Sequence, residues 1–253
     1  MKQKKFEIKD KIITVTVEDK DEDGALPFYD VTCSRKKLGQ IFTSATDLAL
    51  DDFYSFFGSY ARDFNILEEV NENFFLAQVK AEVGSGLQSV RENLNYTDSA
   101  LKSTFSYYRN SPTEATEDGR TSAHAANQPA IGAKAYGSRY GNGPATTPYE
   151  ESDGYIYRGG GFFQLTFISN YSAVVDEINK VIGDYQMTSR ELADIITEVG
   201  AGTLSAMGFW SMNNMQNCQT IDECTAVINK YTDSYTERKQ YYQQIAAIPA
   251  AGN

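Results

Sequence analysis

The chain has 253 residues, of which 41% are hydrophobic and 23% are charged, and its formal net charge is −11 at pH 7. This length and composition are typical of a globular protein with either one large domain or two small ones. The acidic balance, without a basic stripe, argues against a nucleic-acid partner, because phosphates are bound by clustered lysine and arginine.

The first residues carry no recognisable targeting signal. They include several lysines, but they lack the apolar core and the small-residue cleavage site of a signal peptide. The sequence contains no run of about 18 apolar residues, so no membrane span is predicted. We therefore expect synthesis in the cytoplasm, so that action elsewhere would need another route of delivery.

The N-terminal segment is predicted to form β-structure. Residues 5–18, KFEIKDKIITVTVE, alternate apolar and polar side chains and are rich in β-branched types, which indicates a short hairpin or strand arm. An acidic turn region follows and ends at Pro27. We therefore separate a strand-rich arm, residues 1–30, from a main domain, residues 31–253.

The pattern becomes helical from Ser34, which is a suitable N-cap residue. Three helical segments are predicted in succession: 34–42, 45–64 and 67–83. The third segment places four apolar residues on one face at helical spacing, namely Val70, Phe74, Ala77 and Ala81. Gly84 and Gly86 are expected to end it.

Further helices are predicted beyond this break. Thr97 is expected to cap a helix that runs to about Tyr108. The polar stretch 109–153 is predicted to form loops around one short helix in AIGAKAYGSRYG. Residues 154–167 are predicted to form a compact turn of extended backbone. Three more helical segments follow: 169–182, 189–212 and 222–248. The predicted class is mainly α with a small β element.

Two glutamates flank the Gly-Ser-Gly break. Glu82 lies in the last turn of its predicted helix, where the helix dipole and a partly dry setting both disfavour the ionised carboxylate, as a general acid requires. Glu92 lies beside Arg91 among polar residues and is expected to stay charged. Two carboxylates in opposite environments are typical of glycoside hydrolysis.

Other interpretations of the acidic residues stay open on spacing alone. Glu82 could be an ordinary acid at a helix end, and Glu92 could be a structural partner of Arg91. Two further acidic pairs, Glu114 with Glu117 and Glu150 with Glu151, lie in predicted loops that offer no apolar surroundings to exclude water.

The cysteines and the single histidine predict no metal site. Cys33, Cys218 and Cys224 match no metal-ligand spacing. The last two could pair, but free thiols are the expected state in a reducing compartment. The only histidine, His124, is expected to be a surface or packing residue, and its isolation excludes a histidine-dependent triad elsewhere.

Four segments occur in the order seen in the lysozyme-like glycoside hydrolase family 19. They are 75–97 (FLAQVKAEVGSGLQSVRENLNYT), 135–143 (AYGSRYGNG), 153–171 (DGYIYRGGGFFQLTFISNY) and 226–242 (AVINKYTDSYTERKQYY). The chain resembles the phage endolysin and bacterial peptidoglycan-hydrolase branch of this family more than the plant chitinases. The resemblance covers roughly residues 31 to 246 and implies a lysozyme-like α+β fold, mainly α, for the main domain.

The resemblance also implies roles for individual residues. Glu82 matches the catalytic acid, and Glu92 matches the second acid that activates or positions water. Thr97 stands near the position at which the family has a hydroxyl that can hold that water. Asn229 matches the asparagine that closes the sugar cleft. The other residues that match or adjoin the cleft lining are Tyr157, Gln164, Thr166, Asn170 and Tyr171. Gln164 and Thr166 could instead satisfy backbone groups in a buried turn.

Aromatic side chains are the remaining candidates for sugar contacts, because a flat ring can stack on a sugar face. Tyr140 and Tyr155 are predicted to be such platforms, although tyrosine also fills protein cores. Trp210 is predicted to lie in the core.

The first functional hypothesis is a peptidoglycan hydrolase that cleaves β-1,4 bonds between amino sugars, without a metal or organic cofactor. Its substrates would be peptidoglycan glycan strands, or chitin oligomers if the protein is a chitinase instead. Family 19 chitinases invert the anomeric centre, which would require the two carboxylates to lie about 6.5–9.5 Å apart.

The second hypothesis is a catalytically weak structural or binding component of a phage tail or injection apparatus. Two departures from the family pattern motivate it: Ala81 replaces the usual histidine, and Gly160 replaces an arginine between two glycines. The N-terminal arm could add a strand to a partner in the particle, or it could pack on its own domain. We therefore expect the protein to reach the cell wall after release or inside a virion.

Overall fold

The computed structural model describes residues 2–8, 11–17, 31–182 and 186–249 of the chain. Within these residues it is mainly α with one small β element, which confirms the predicted class. In chain order the elements are β1 (Lys2–Ile8), β2 (Lys11–Val17), α1 (Arg35–Ile41), α2 (Asp47–Tyr60), α3 (Glu69–Val83), α4 (Asp98–Thr104), α5 (Ser106–Asn110), α6 (Pro112–Asp118), α7 (Gln128–Tyr136), α8 (Asp153–Ile156), α9 (Ile168–Val181), α10 (Ser189–Ile195), α11 (Val199–Met212), α12 (Ile221–Asn229) and α13 (Tyr235–Ala246). Nowhere in the described ranges is a helix long and apolar enough to cross a membrane.

The chain forms two structural units. Unit 1 comprises Met1–Val90, Gly161–Phe163 and Ala173–Asn253, whereas unit 2 comprises Arg91–Gly160 and Gln164–Ser172. The predicted boundary near residue 30 lies outside the described residues.

The predicted N-terminal hairpin is present in unit 1. β1 and β2 pair antiparallel, with Lys2 opposite Val17 and Ile8 opposite Lys11. β1 contacts α10, and β2 contacts α2. The hairpin thus contacts its own unit, while its predicted pairing with a partner stays a prediction.

The core of unit 1 is built around α3, which packs against α13 while α2 packs against α11. The Phe75 ring stacks on Phe57 at 5.4 Å and meets Trp210 edge-on at 5.9 Å. Trp210 is fully buried, as predicted. Every residue from Asn71 to Val79 is buried, whereas Val70 is 38% exposed. Phe74 and Ala77 of the predicted apolar face are thus buried, but so are polar residues such as Gln78, because the central part of this helix is buried all round.

Unit 2 contains more helix than the sequence analysis predicted. The helix capped by Thr97 ends at Thr104, because Phe105 is extended (φ −108°, ψ 129°), and α5 then starts anew. The polar stretch that was predicted to be mostly loop contains α6, which begins with Pro112. A small core holds these short helices together, and it consists of Leu94, Leu101, Phe105, Tyr108, Ala115, Ile131 and Ala135.

Two of the long helical segments predicted in unit 1 are each two helices. The segment 189–212 breaks at Glu198, whose backbone is extended (φ −72°, ψ 138°), and this separates α10 from α11. The segment 222–248 breaks between α12 and α13.

Candidate active site

Glu82 lies in the last turn of α3, in unit 1. The helix ends there because Gly84 adopts a positive φ of 66°, a conformation that glycine accepts without strain. The Glu82 side chain is 19% exposed. Its Oε1 accepts a hydrogen bond of 2.5 Å from Nη2 of Arg238, on α13. The catalytic acid candidate is therefore one half of a mostly buried ion pair.

Arg238 links Glu82 to two neighbouring helices. Its guanidinium is almost fully buried and also donates to Gln78 Oε1 at 2.5 Å and to Ser234 Oγ at 2.9 Å. The amide of Gln78 in turn donates to Thr225 Oγ1 on α12, at 2.9 Å. Side chains of α3, α12 and α13 thus hold the Glu82 carboxylate in one orientation. Arg238 was not among the site residues predicted from the sequence, where its only signal was its place in the fourth segment that resembles family 19.

Asn229 is the last residue of α12, also in unit 1, and its side chain is exposed. Its Oδ1 accepts from the Tyr231 N–H at 3.3 Å, and its carbonyl accepts from the Thr232 N–H at 3.2 Å. The side chain therefore shapes the turn that leads to α13. Its predicted sugar contact stays a prediction.

Glu92 belongs to unit 2, where two groups fix its carboxylate. The Tyr136 hydroxyl lies 2.8 Å from Oε1 and 2.9 Å from Oε2, and the Gly159 N–H donates to Oε2 at 3.4 Å. Burial and the neighbouring Glu92 charge raise the pKa of the Tyr136 hydroxyl, so it stays a proton donor. Arg91 donates to the Ile156 carbonyl at 2.5 Å. The interpretation of Glu92 as a structural partner of Arg91 is therefore wrong.

Tyr136→Phe is expected to lower the hydrolysis rate about tenfold, because the Glu92 carboxylate loses the hydroxyl that orients it. Unit 2 should also lose about 1.5 to 3 kcal/mol of stability, the usual range for one hydrogen bond to a charged group. Tyr107→Phe is the matched control, since the Tyr107 hydroxyl contacts both oxygens of Glu114 in the same way, at 3.0 and 2.9 Å. Initial rates and thermal melts of both variants test this, and an equal rate loss in both would contradict it.

Three of the predicted site residues converge on Gly159. A Cβ at this glycine would lie 2.9 Å from Gln164 Oε1, 3.4 Å from Glu92 Cβ and 3.5 Å from Thr166 Oγ1. Thr166 donates to the Gln164 carbonyl at 2.8 Å, and Asn170 donates to the Thr166 carbonyl at 2.8 Å. Thr166 and Asn170 thus do satisfy backbone groups, while the Gln164 side chain is exposed. The absence of a side chain at Gly159 lets these polar groups approach Glu92.

The two predicted aromatic platforms also lie in unit 2. Tyr140 is 65% exposed, and its ring packs against Phe167 with centroids 4.7 Å apart. Tyr155 is half-buried, with the Arg158 guanidinium 3.9 Å from its ring centroid. Both rings therefore contact a guanidinium, since Arg139 lies 5.7 Å from the Tyr140 centroid, but Tyr140 is the more exposed of the two.

Tyr157 and Tyr171 are packing residues in unit 2 instead of surface residues. Tyr157 is 5% exposed and Tyr171 is fully buried, and their rings contact each other at 5.3 Å. The Tyr171 hydroxyl donates to the Arg158 carbonyl at 3.4 Å. Their expected place on the cleft surface is corrected accordingly, because the two rings support the backbone next to Gly159 from inside.

Thr97 caps α4, as predicted. Its Oγ1 accepts from the Ala100 N–H at 3.2 Å and lies 3.1 Å from Ser99 Oγ. A hydroxyl has a second lone pair and a rotatable proton, so the cap leaves it able to contact water. Its predicted role in holding water stays a prediction.

Comparison with known proteins tests the resemblance found in the sequence. No family model matches the chain. A curated relative, a glycosyl hydrolase family 19 domain-containing protein of Haemophilus influenzae, is 27% identical over 179 residues, which are 71% of this chain and 80% of the relative. The chain resembles glycoside hydrolase family 19. The predicted family resemblance is confirmed, and it supports the predicted enzyme class.

Solved structures of chitinases are also similar to this chain. A bacterial family 19 chitinase aligns with a TM-score of 0.48 and 15% identity over 88% of this chain and 98% of its own. Chitinase C from Streptomyces griseus HUT6037 aligns with a TM-score of 0.44 and 15% identity over 99% of this chain and 93% of its own.

Proposed function

We propose that this chain hydrolyses β-1,4 glycosidic bonds between amino sugars in the glycan strands of peptidoglycan. The family 19 relative supports a glycoside hydrolase. The observation that carries the proposal is that both candidate carboxylates are built into hydrogen-bond networks. Arg238 and its partners hold Glu82, whereas Tyr136 and Gly159 hold Glu92.

In the proposed reaction, Glu82 acts as the general acid. In the ion pair Arg238 engages Oε1, so Oε2 is the oxygen that takes up a proton from solvent for transfer to the substrate. Glu82 gives this proton to the glycosidic oxygen as the bond from that oxygen to the anomeric carbon breaks, so that the leaving sugar departs as an alcohol.

Glu92 acts as the general base in the same proposal. Each carboxylate oxygen has two lone pairs, and the Tyr136 hydroxyl contacts one on each. The remaining lone pairs can accept a proton from water, assisted by the Thr97 hydroxyl. The water oxygen then bonds to the anomeric carbon. Afterwards Glu92 releases its proton to solvent, and Glu82 takes up a proton from solvent.

The substrate is tested with two glycans. Purified peptidoglycan and soluble chitin oligomers are incubated with the full chain, new reducing ends are counted, and the fragments are identified by mass. The proposal expects release from peptidoglycan, with a new reducing amino sugar at each cut. Release from chitin oligomers alone would replace it with a chitinase, which is the narrower alternative.

A second candidate is a binding protein that has lost most of its activity. Ala81 and Gly160, where family 19 usually has histidine and arginine, favour it, since both changes remove polar groups near the glutamates. This candidate predicts that the chain sediments with insoluble peptidoglycan without releasing any fragment. Fragment release that depends on Glu82 would exclude it.

A further inference from the structure

Two of the three cysteines lie side by side in unit 1. Cys218 directly follows a 3₁₀ turn at Met215–Asn217, and Cys224 lies in the N-terminal half of α12. Both are free thiols, and they lie six residues apart in sequence. The Gln219 N–H, next to Cys218, donates to the Glu223 carboxylate, next to Cys224, at 2.7 Å, so the segments that carry the two cysteines are in contact.

The two thiols differ in their access to solvent. Cys224 is fully buried, whereas Cys218 is partly exposed and lines a cavity of about 290 Å³ together with Glu68, Asn71 and Phe74. A small reagent that enters this cavity therefore meets Cys218 first, because Cys224 is buried. The third cysteine, Cys33, is 1% exposed and is not part of this pair.

We propose that Cys218 and Cys224 form a redox-sensitive pair that closes to a disulfide when the chain meets a small-molecule disulfide. The Cys218 thiolate attacks one sulfur of that disulfide, which forms a mixed disulfide and releases one thiolate. Cys224, after losing its proton to solvent, attacks the Cys218 sulfur and releases the second thiolate. Two protein thiols are oxidised, and one small disulfide is reduced to two thiols.

The surroundings of the pair make closure dependent on pH. Burial raises the pKa of the Cys218 thiol, and burial together with Cys218 raises the pKa of the Cys224 thiol. The Glu223 carboxylate adds to both shifts, and Glu68 is the other charged group in the cavity. Only the thiolate attacks a disulfide, so the initial rate should rise about tenfold per pH unit while the pH stays below the thiol pKa.

A disulfide between Cys218 and Cys224 would cross-link the segment whose contacts with Gln78 support the candidate acid. The Gln78 amide donates to the Ile221 carbonyl and to Thr225 Oγ1, on either side of Cys224. Gln78 also accepts from Arg238, the partner of Glu82. This consequence for Glu82 rests on the proposed function, whereas the disulfide itself does not.

The test is incubation of the full chain with oxidised glutathione, followed by acid quenching, denaturation, thiol titration and mass analysis. The number of free thiols should fall from three to one, with the loss of two hydrogen masses and a cross-linked peptide that joins Cys218 to Cys224. Three remaining thiols after prolonged incubation at pH 8, or a stable glutathione adduct on the wild-type chain, would overturn the proposal.

Single serine variants assign the steps. Cys218→Ser should keep both of its remaining thiols, Cys224→Ser should stop at one glutathione adduct on Cys218, and Cys33→Ser should close like the wild type. A thermal melt should place the oxidised chain about 5 °C above the reduced chain, since a short loop is closed in the unfolded state. A cross-link that involves Cys33, or an oxidised chain that melts below the reduced one, would contradict the proposed disulfide.

Discussion

Glu82→Gln is expected to lower the hydrolysis rate by about 10³-fold, because the amide cannot supply the proton that the leaving oxygen needs. The amide oxygen can still accept from Arg238, so the network around it stays in place. The substitution also leaves the buried Arg238 charge without its counter-ion, which should cost about 3 kcal/mol of stability. Initial rates of reducing-end release, with a thermal melt for each protein, measure both effects.

Glu69→Gln is the matched control for this change. Glu69 is exposed in the first turn of the same helix, so its replacement alters the net charge by the same amount. The rate should stay within about twofold of the wild type, since surface substitutions away from a site have small effects. A Glu82→Gln protein as active as Glu69→Gln would remove Glu82 from the mechanism.

Arg238→Met is expected to destabilise unit 1 by about 3 kcal/mol or more and to abolish activity. The substitution leaves the mostly buried Glu82 carboxylate and the buried Gln78 Oε1 without their shared donor. Breaking a buried pair on one side typically costs about 3–5 kcal/mol, because one charge stays uncompensated. Urea unfolding gives the free energy directly.

The double variant Glu82→Gln/Arg238→Met distinguishes the effect of an uncompensated charge from a general loss of folding. With the charge gone from both sides, it should be more stable than Arg238→Met alone by about 1 kcal/mol or more. It should still be inactive, since the acid is missing. If the two single effects simply add, the ion pair does not contribute in the way that the structure indicates.

Features set by short stretches of sequence were predictable. The N-cap at Ser34 forms, with its side chain accepting from the Lys37 N–H, and so does the cap at Thr97. The stop after Glu82 follows from Gly84, whose positive φ a β-carbon would strain. Such features depend on neighbours within a few residues, which is why composition and spacing indicate them.

The partners of the two glutamates were not predictable in the same way. Arg238 lies 156 residues from Glu82, and Tyr136 lies 44 residues from Glu92. Nothing in the local pattern of either stretch selects its partner, because the contact depends on how the helices pack. The resemblance to family 19 indicated the segments but not the hydrogen bonds.

The missed helices have a different cause. α6 has few apolar residues to bury, and its only buried hydrophobic residue is Ala115, so it shows no helical stripe. Its signal was Pro112 at the first turn, where the missing N–H costs nothing. The mostly buried lysine of α7, Lys134, then binds Glu114 and Asp118 of α6 at 2.7 Å each. This pairing stabilises a polar segment that composition alone suggests is a loop.

The measurement that tests the central claim most directly is the turbidity of a purified peptidoglycan suspension over time. It is made with the wild-type chain, Glu82→Gln, Glu92→Gln and Glu69→Gln at equal concentrations. We predict that the wild type and Glu69→Gln clear the suspension, while neither Glu82→Gln nor Glu92→Gln does. Equal clearing by the wild type and Glu82→Gln, or no clearing by the wild type, would contradict the proposed peptidoglycan hydrolase.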